Sequence, residues 1–192
     1  LKSDFSISAS DILSTSFIQR KIQFDTPSDQ NFDDRDELMT LVKASYLRKF
    51  SSRLDLIISA EGSISRLVYI YSQKSANNLT KRSLKYSGEA RFSSGIVKNN
   101  LAGEVNSSYS VFDFEKAGTL NKSYLLRQLI IKDSLELELN YFLKLKLNTA
   151  LRFSEQGNFF WQNFSSQPTR FLEEKLFEGK ITEVTGNFLA LL

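Results

Sequence analysis

The chain of 192 residues contains no cysteine and no histidine. Without cysteine there is no disulfide, no thiolate nucleophile and no sulfur ligand for zinc. Without histidine there is no His-dependent catalytic triad and no imidazole base or metal ligand. A cysteine-free chain suits passage through an oxidising periplasm, although it does not by itself define a compartment. Only two prolines (Pro27 and Pro168) and eight glycines are present. A soluble β-sandwich of this size is joined by many tight turns rich in those residues. Their scarcity therefore implies fewer and longer strands. No run of eighteen or more apolar residues exists, which excludes a membrane-spanning helix. Strands of a membrane barrel pass that filter, because only alternate residues meet lipid.

The remaining composition is that of a folded chain. Apolar residues make up 41%, charged residues 24%, and the mean hydropathy is −0.26. These values fit a single β-rich domain over residues 1–192, or a piece of a longer barrel. The net charge is +3 and the pI about 9.0, with Lys and Arg spread along the chain. The tightest basic grouping (Arg48, Lys49, Arg53) is too small for a nucleic-acid surface, so no nucleic-acid partner is expected. The first residue is Leu1, and no basic segment followed by an apolar run opens the sequence. A start other than Met fits a processed exported protein or part of a longer chain.

What the chain does have is alternation. From Asp133 to Phe153, Leu135, Leu137, Leu139, Tyr141, Leu143, Leu145, Leu147, Leu151 and Phe153 hold the odd positions. Ser134, Glu136, Glu138, Asn140, Lys144, Lys146, Asn148 and Arg152 lie between them. A period of two marks a strand with one apolar and one polar face. As one strand, these 21 residues would span roughly 70 Å. A two-residue hairpin would flip the apolar parity, so the run is one strand or holds an odd-numbered loop near Asn140–Phe142. A second run starts at Leu54 and carries Leu56, Ile58, Ala60, Gly62, Ile64, Val68 and Ile70. Shorter alternations begin near Phe5, Leu84 and Leu101, with a kink or bulge expected near Ser10–Asp11. Loops are expected over 26–37, 72–82 and 116–122, a turn at Lys98–Asn100, and a break at Gly157–Asn158. A last hairpin is expected from Arg170–Phe177 and Ile181–Leu192. The count is roughly eight to ten strands.

Three segments also fit helix. Leu38, Leu41, Val42 and Tyr46 form a helical stripe behind Asp36 and Glu37. Tyr124–Lys132 and Phe171–Phe177 read the same way. A soluble α+β fold or a β-sandwich is therefore the alternative to an all-β, antiparallel, up-and-down transmembrane barrel.

The long alternation, polar loops, Ser/Asn-rich polar face and aromatic residues near run ends (Tyr69, Tyr71, Tyr141, Phe142, Phe159, Phe160, Trp161) resemble a Gram-negative outer-membrane β-barrel protein. The likeness covers most of the chain and is architectural. It implies residence in the outer membrane, contact with its lipids and with other envelope proteins, and a structural, transport or adhesion role. Many such barrels end on an aromatic residue, whereas this chain ends Phe188-Leu-Ala-Leu-Leu192. The enzymatic members of that group depend on a catalytic histidine, so no enzyme is expected here. The alternative function is a soluble periplasmic or secreted β-rich module that binds lipid or glycan.

On this reading Glu136, Glu138, Lys144, Lys146 and Arg152 face the lumen, and Leu135, Leu137, Leu139, Leu143, Leu145 and Leu147 face lipid. The carboxylate pairs Glu136/Glu138 and Glu173/Glu174 are read as charged surface rather than acid–base machinery. Asp29-Gln-Asn31-Phe-Asp33 begins like a calcium loop but fails it, with Asp34 in place of Gly and Thr40 in place of Glu. Neither a metal nor a cofactor is expected.

Overall fold

A computed structural model describes residues 1–25, 32–114, 122–140, 143–158 and 169–185. Nine strands form one antiparallel sheet in the order of the sequence. They are β1 (Lys2–Ser6), β2 (Asp11–Phe24), β3 (Arg35–Lys49), β4 (Leu54–Tyr69), β5 (Leu79–Ser94), β6 (Val97–Phe112), β7 (Tyr124–Asn140), β8 (Leu143–Asn158) and β9 (Thr169–Thr185). A short 3-10 helix, Ser72–Asn77, is the one helical element among the described residues.

The three segments that also fit helix are strands, in β3, β7 and β9. In β3 and β7 a neighbour on each side, and in β9 its pairing with β8, supplies the backbone hydrogen bonds of a β-ladder, which outweighs a weak helical stripe. Asp11 begins a new strand rather than a bulge. Its carbonyl accepts from Ile7 N (2.9 Å) across a tight turn. Lys98–Asn100 lies inside β6. The turn falls at Gly95–Ile96 instead, where Gly95 takes φ +50, a left-handed conformation that glycine adopts without penalty. β8 ends at Asn158, where the sequence expects a break at Gly157–Asn158. Arg170–Thr185 belongs to one strand, so the expected hairpin is not formed there; residues 186–192 lie outside the described residues.

The Asp133–Phe153 run is a hairpin rather than a single strand. Glu138 pairs with Lys144 while Asn140 pairs with Leu143, a register shift that leaves one extra residue in β7. A two-residue connection (141–142) would flip the parity of the leucines, and the bulge restores it.

The strand connections are unequal at the two ends of the sheet. Those at 7–10, 50–53, 95–96 and 141–142 hold two to four residues, whereas 25–34, 70–78, 113–123 and 159–168 hold nine to eleven. Short and long connections alternate, so all short ones lie at one end and all long ones at the other. The described bases of the long connections are tied together. Ile70 N donates to Asp34 O (3.0 Å), Asp113 N donates to Asn78 O (3.1 Å), and Phe32 meets Tyr71 edge-on at 5.3 Å.

Each strand packs substantially only on its sequence neighbours. Among the described residues no second layer covers either face. The accessible surface, 13769 Å², is roughly one and a half times the ~9,300 Å² expected of a compact 22.0 kDa monomer. The described strands lie in one sheet with no second sheet packed on it, which is not a two-layer sandwich.

Candidate functional site

Pairing register assigns every described strand residue to one of two faces. One face collects Leu54, Leu56, Ile58, Ala60 and Ile64 of β4, Leu84, Tyr86 and Phe92 of β5, and Leu101 and Val105 of β6. It continues through Leu129, Ile131, Leu135 and Leu137 of β7 to Leu145, Leu147, Leu151 and Phe153 of β8. The other face collects serines, asparagines and charges. Sorting is strongest over β4–β8, although Ile57, Leu67, Leu126 and Ile130 stand on the polar face, and it is more mixed in β2–β3, where Ile12, Ile18, Met39 and Leu41 share that face.

Burial is inverted relative to a water-soluble domain. Val42, Ile58 and Tyr86 on the apolar face are each 54% exposed. Among the described residues only one apolar side chain is buried, Leu125, against six polar ones: Asp34, Asn78, Ser108, Ser110, Ser123 and Ser154. Soluble proteins bury the opposite set. Ser108, Ser110 and Ser154 all lie on the polar face, which is therefore the sheltered side of the sheet.

Hydrogen bonds across neighbouring strands knit that face together. Ser45 and Ser59 hydroxyls meet at 2.8 Å, Ser83 Oγ donates to Asn106 Oδ1 (3.1 Å), Gln128 Nε2 donates to Ser154 Oγ (3.0 Å), and Ser134 Oγ donates to Asn148 Oδ1 (2.7 Å). A groove of about 330 Å³ opens between β6 and β8, lined on this face by Asn100, Ala102, Lys132, Ser134, Asn148 and Ala150. The small side chains of Ala102 and Ala150 flank Lys132 and make the space. The hydroxyl of Ser110 is buried with no hydrogen-bond partner among the described residues.

Toward the short-turn end the polar face carries a four-charge cluster. Lys98 Nζ lies 3.4 Å from Glu136 and 2.9 Å from Glu138, and Lys144 Nζ lies 3.1 Å and 3.3 Å from the same carboxylates. Two lysines offset two glutamates, so the cluster is neutral as a unit. Such a pairing holds side chains in place and leaves neither carboxylate poised as a lone base.

Glu136, Glu138 and Lys144, singled out from sequence, are thus brought together. Lys146 and Arg152 share their face but lie outside the cluster. Leu135 stands opposite Leu147, and Leu137 opposite Leu145, on the apolar face. The side chains of Leu139 and Leu143 lie outside the described set. Lys98, the fourth member of the cluster, escaped sequence reasoning because its segment reads as a turn; its alternation with Asn100 and Ala102 was the available signal. Of the aromatic residues near run ends, Tyr69 closes β4 and Tyr71 follows it, while 141, 142 and 159–161 lie outside the described residues. A row that sequence reasoning missed, Phe5, Tyr46 and Phe92, stands on the apolar face at the short-turn end.

Charged groups on the apolar face gather mainly at its two rims. Asp11 accepts from Tyr46 Oη (2.5 Å) and lies 3.9 Å from Arg48 at the short-turn rim. Lys21–Asp36 (3.2 Å), Arg66–Asp113 (3.9 Å) and Arg127–Glu155 (3.9 Å) lie toward the long-connection rim. The exception is Asp133, flanked along β7 by Ile131 and Leu135, which accepts from Asn99 Nδ2 at 2.7 Å.

Among the described residues no group of three or more acidic side chains is arranged to hold a metal ion. Asp33, from the acidic loop, pairs with Lys74 at 3.2 Å, and Asp29 lies outside the described residues. Among the described residues no helix is long and apolar enough to cross a membrane. No protein-family model and no curated protein matches the sequence.

Proposed function

We propose that this chain forms wall of an outer-membrane β-barrel, with its polar face toward a hydrated interior and its apolar face toward lipid. The observation that carries this reading is the inverted burial: exposed Val42, Ile58 and Tyr86 on one face, sheltered Ser108, Ser110 and Ser154 on the other. In water, leaving so many apolar side chains exposed forfeits about 25 cal/mol for each Å² of apolar surface left unburied. In a bilayer that surface is already in its preferred solvent.

Three further features support it. On β4 the apolar face runs from Leu54 to Ile64, ten residue steps. At about 3.3 Å per residue that is about 33 Å along the strand, and about 25 Å in height at the ~40° tilt of membrane barrels, which matches their lipid-facing band. Short turns at one end and long connections at the other are the usual asymmetry of such barrels, with the short turns on the periplasmic side. The unpartnered hydroxyl of Ser110 is satisfied by water in a hydrated interior.

The role is that of a structural, transport or adhesion component and not an enzyme. Its partners are outer-membrane lipids and other envelope proteins. Folded protein should require detergent or bilayer, and unboiled samples should migrate differently from boiled ones in SDS gels. A monodisperse monomer in detergent-free buffer would overturn the reading.

A further inference from the structure

Apart from the groove over β6–β8, the polar face holds a second pocket of about 330 Å³, set in β3, β4 and β5 near the long connections. Register builds it from three rows. Arg35 stands opposite Tyr69, Glu37 stands beside the cross-strand pair Leu67 and Leu79, and Ser65 stands opposite Lys81. The two leucines, half-buried, give the pocket an apolar floor with Tyr69 beside it and polar groups around it.

The protein uses those polar groups only in part. Among the described residues Arg35 forms no ion pair; its guanidinium lies 4.3 Å from the centre of the Phe24 ring, a contact that orients the side chain without engaging a carboxylate. Lys81 is exposed and likewise forms no ion pair among the described residues. Glu37 accepts from Ser65 Oγ at 3.5 Å, a long bond that leaves both groups with capacity for another partner. The pocket therefore presents two cations against one acid.

Each part suits a different piece of one ligand. The leucine floor and the Tyr69 ring suit the C–H face of a sugar. Glu37 accepts from hydroxyls, and Ser65 can donate or accept. Arg35 suits a carboxylate in bidentate geometry, and Lys81 suits one as a point charge. Two strands across and four residues along place their Cα atoms roughly 16 Å apart. That spacing suits an acid charged at both ends better than one small ion.

We propose that this pocket binds a short acidic saccharide, its carboxylates at Arg35 and Lys81 and its hydroxyls at Glu37 and Ser65. The proposal rests on the membrane reading above for its setting, the mouth of a hydrated interior beside the long connections.

The test is calorimetric titration of detergent-folded protein with digalacturonate and with its neutral counterpart, galactobiose. Digalacturonate should bind, and galactobiose should bind about tenfold more weakly or worse. R35Q/K81Q should erase that preference, whereas K43Q, a cation of the same face outside the pocket, should keep it. R35Q alone, which should reduce the preference, provides a second measure should the double variant not fold. Equal binding of the two sugars, binding of neither, or an equal loss in K43Q would overturn the proposal while leaving the membrane reading standing. Adipate binding as tightly as digalacturonate would overturn the assignment to a saccharide. A folded monomer in detergent-free buffer would overturn the membrane reading, and the same titrations in that buffer would still decide the pocket.

Discussion

Ile58 shows how one residue separates a lipid face from a surface in water. It lies mid-strand on β4 between Leu56 and Ala60 on the apolar face, and more than half of it is exposed. On a water-facing surface, replacement by Arg changes stability by no more than about 0.5 kcal/mol. Facing the middle of a bilayer, the same Arg costs about 2–4 kcal/mol. We expect Ile58→Arg to fall in the second range when unfolding is measured in vesicles, and a near-neutral result would contradict a lipid-facing Ile58. Asp133 is the natural counter-example, a carboxylate on that same face. Its hydrogen bond from Asn99 partly compensates the charge there. The alternation of Leu56, Ile58 and Ala60 with Asp55 and Ser59 was readable from sequence. The pairing of Asp133 with Asn99 was not, because the two are 34 positions apart and only the β6–β7 register joins them.

At the scale of elements, the β7–β8 hairpin turns a parity argument into geometry. The sequence demands that leucines before and after the corner share a face, and an odd loop was one solution. The hairpin instead combines a two-residue connection with an extra residue between Glu138 and Asn140. Deleting Leu139 removes that extra residue and leaves every flanking pair in phase. Deleting Leu137 moves Glu138 into a position facing Leu145, on the apolar side. The Leu139 deletion should therefore fold with nearly unchanged stability, while the Leu137 deletion should lose folded yield and unfold at lower urea. Equal behaviour of the two deletions would show that the bulge does not set the register. The helical stripes of β3 and β7 misled for a related reason. A four-residue apolar spacing satisfies both periods, and only the pairing partners on either side decide between them.

For the whole molecule, the decisive quantity is direction. In a strictly alternating meander β1 and β9 run the same way, so pairing them directly would be parallel. Antiparallel closure takes an even number of strands, as in bacterial single-chain barrels. The absence of native cysteine makes this simple to probe. S45C/S59C should oxidise readily, since the two hydroxyls already meet at 2.8 Å across β3 and β4. Cysteines placed in β1 and β9 should stay reduced under the same conditions. Efficient β1–β9 cross-linking would instead mean that this sheet closes on itself.

Local pattern by itself determined the strand character, the sorting of faces and the exclusion of His- and Cys-based chemistry, because a period of two and a missing residue type are properties of neighbouring positions alone. Only the tertiary structure decided which strand neighbours which, that Lys98 joins Glu136, Glu138 and Lys144, and that Arg35 and Lys81 border one pocket. Those facts depend on residues tens of positions apart meeting through register. Above all, sequence alternation is identical whether the apolar face is packed or bare. It took the single-layer sheet, with Ser108 and Ser110 buried and Ile58 and Ile64 exposed, to separate a sheltered side from a bare one.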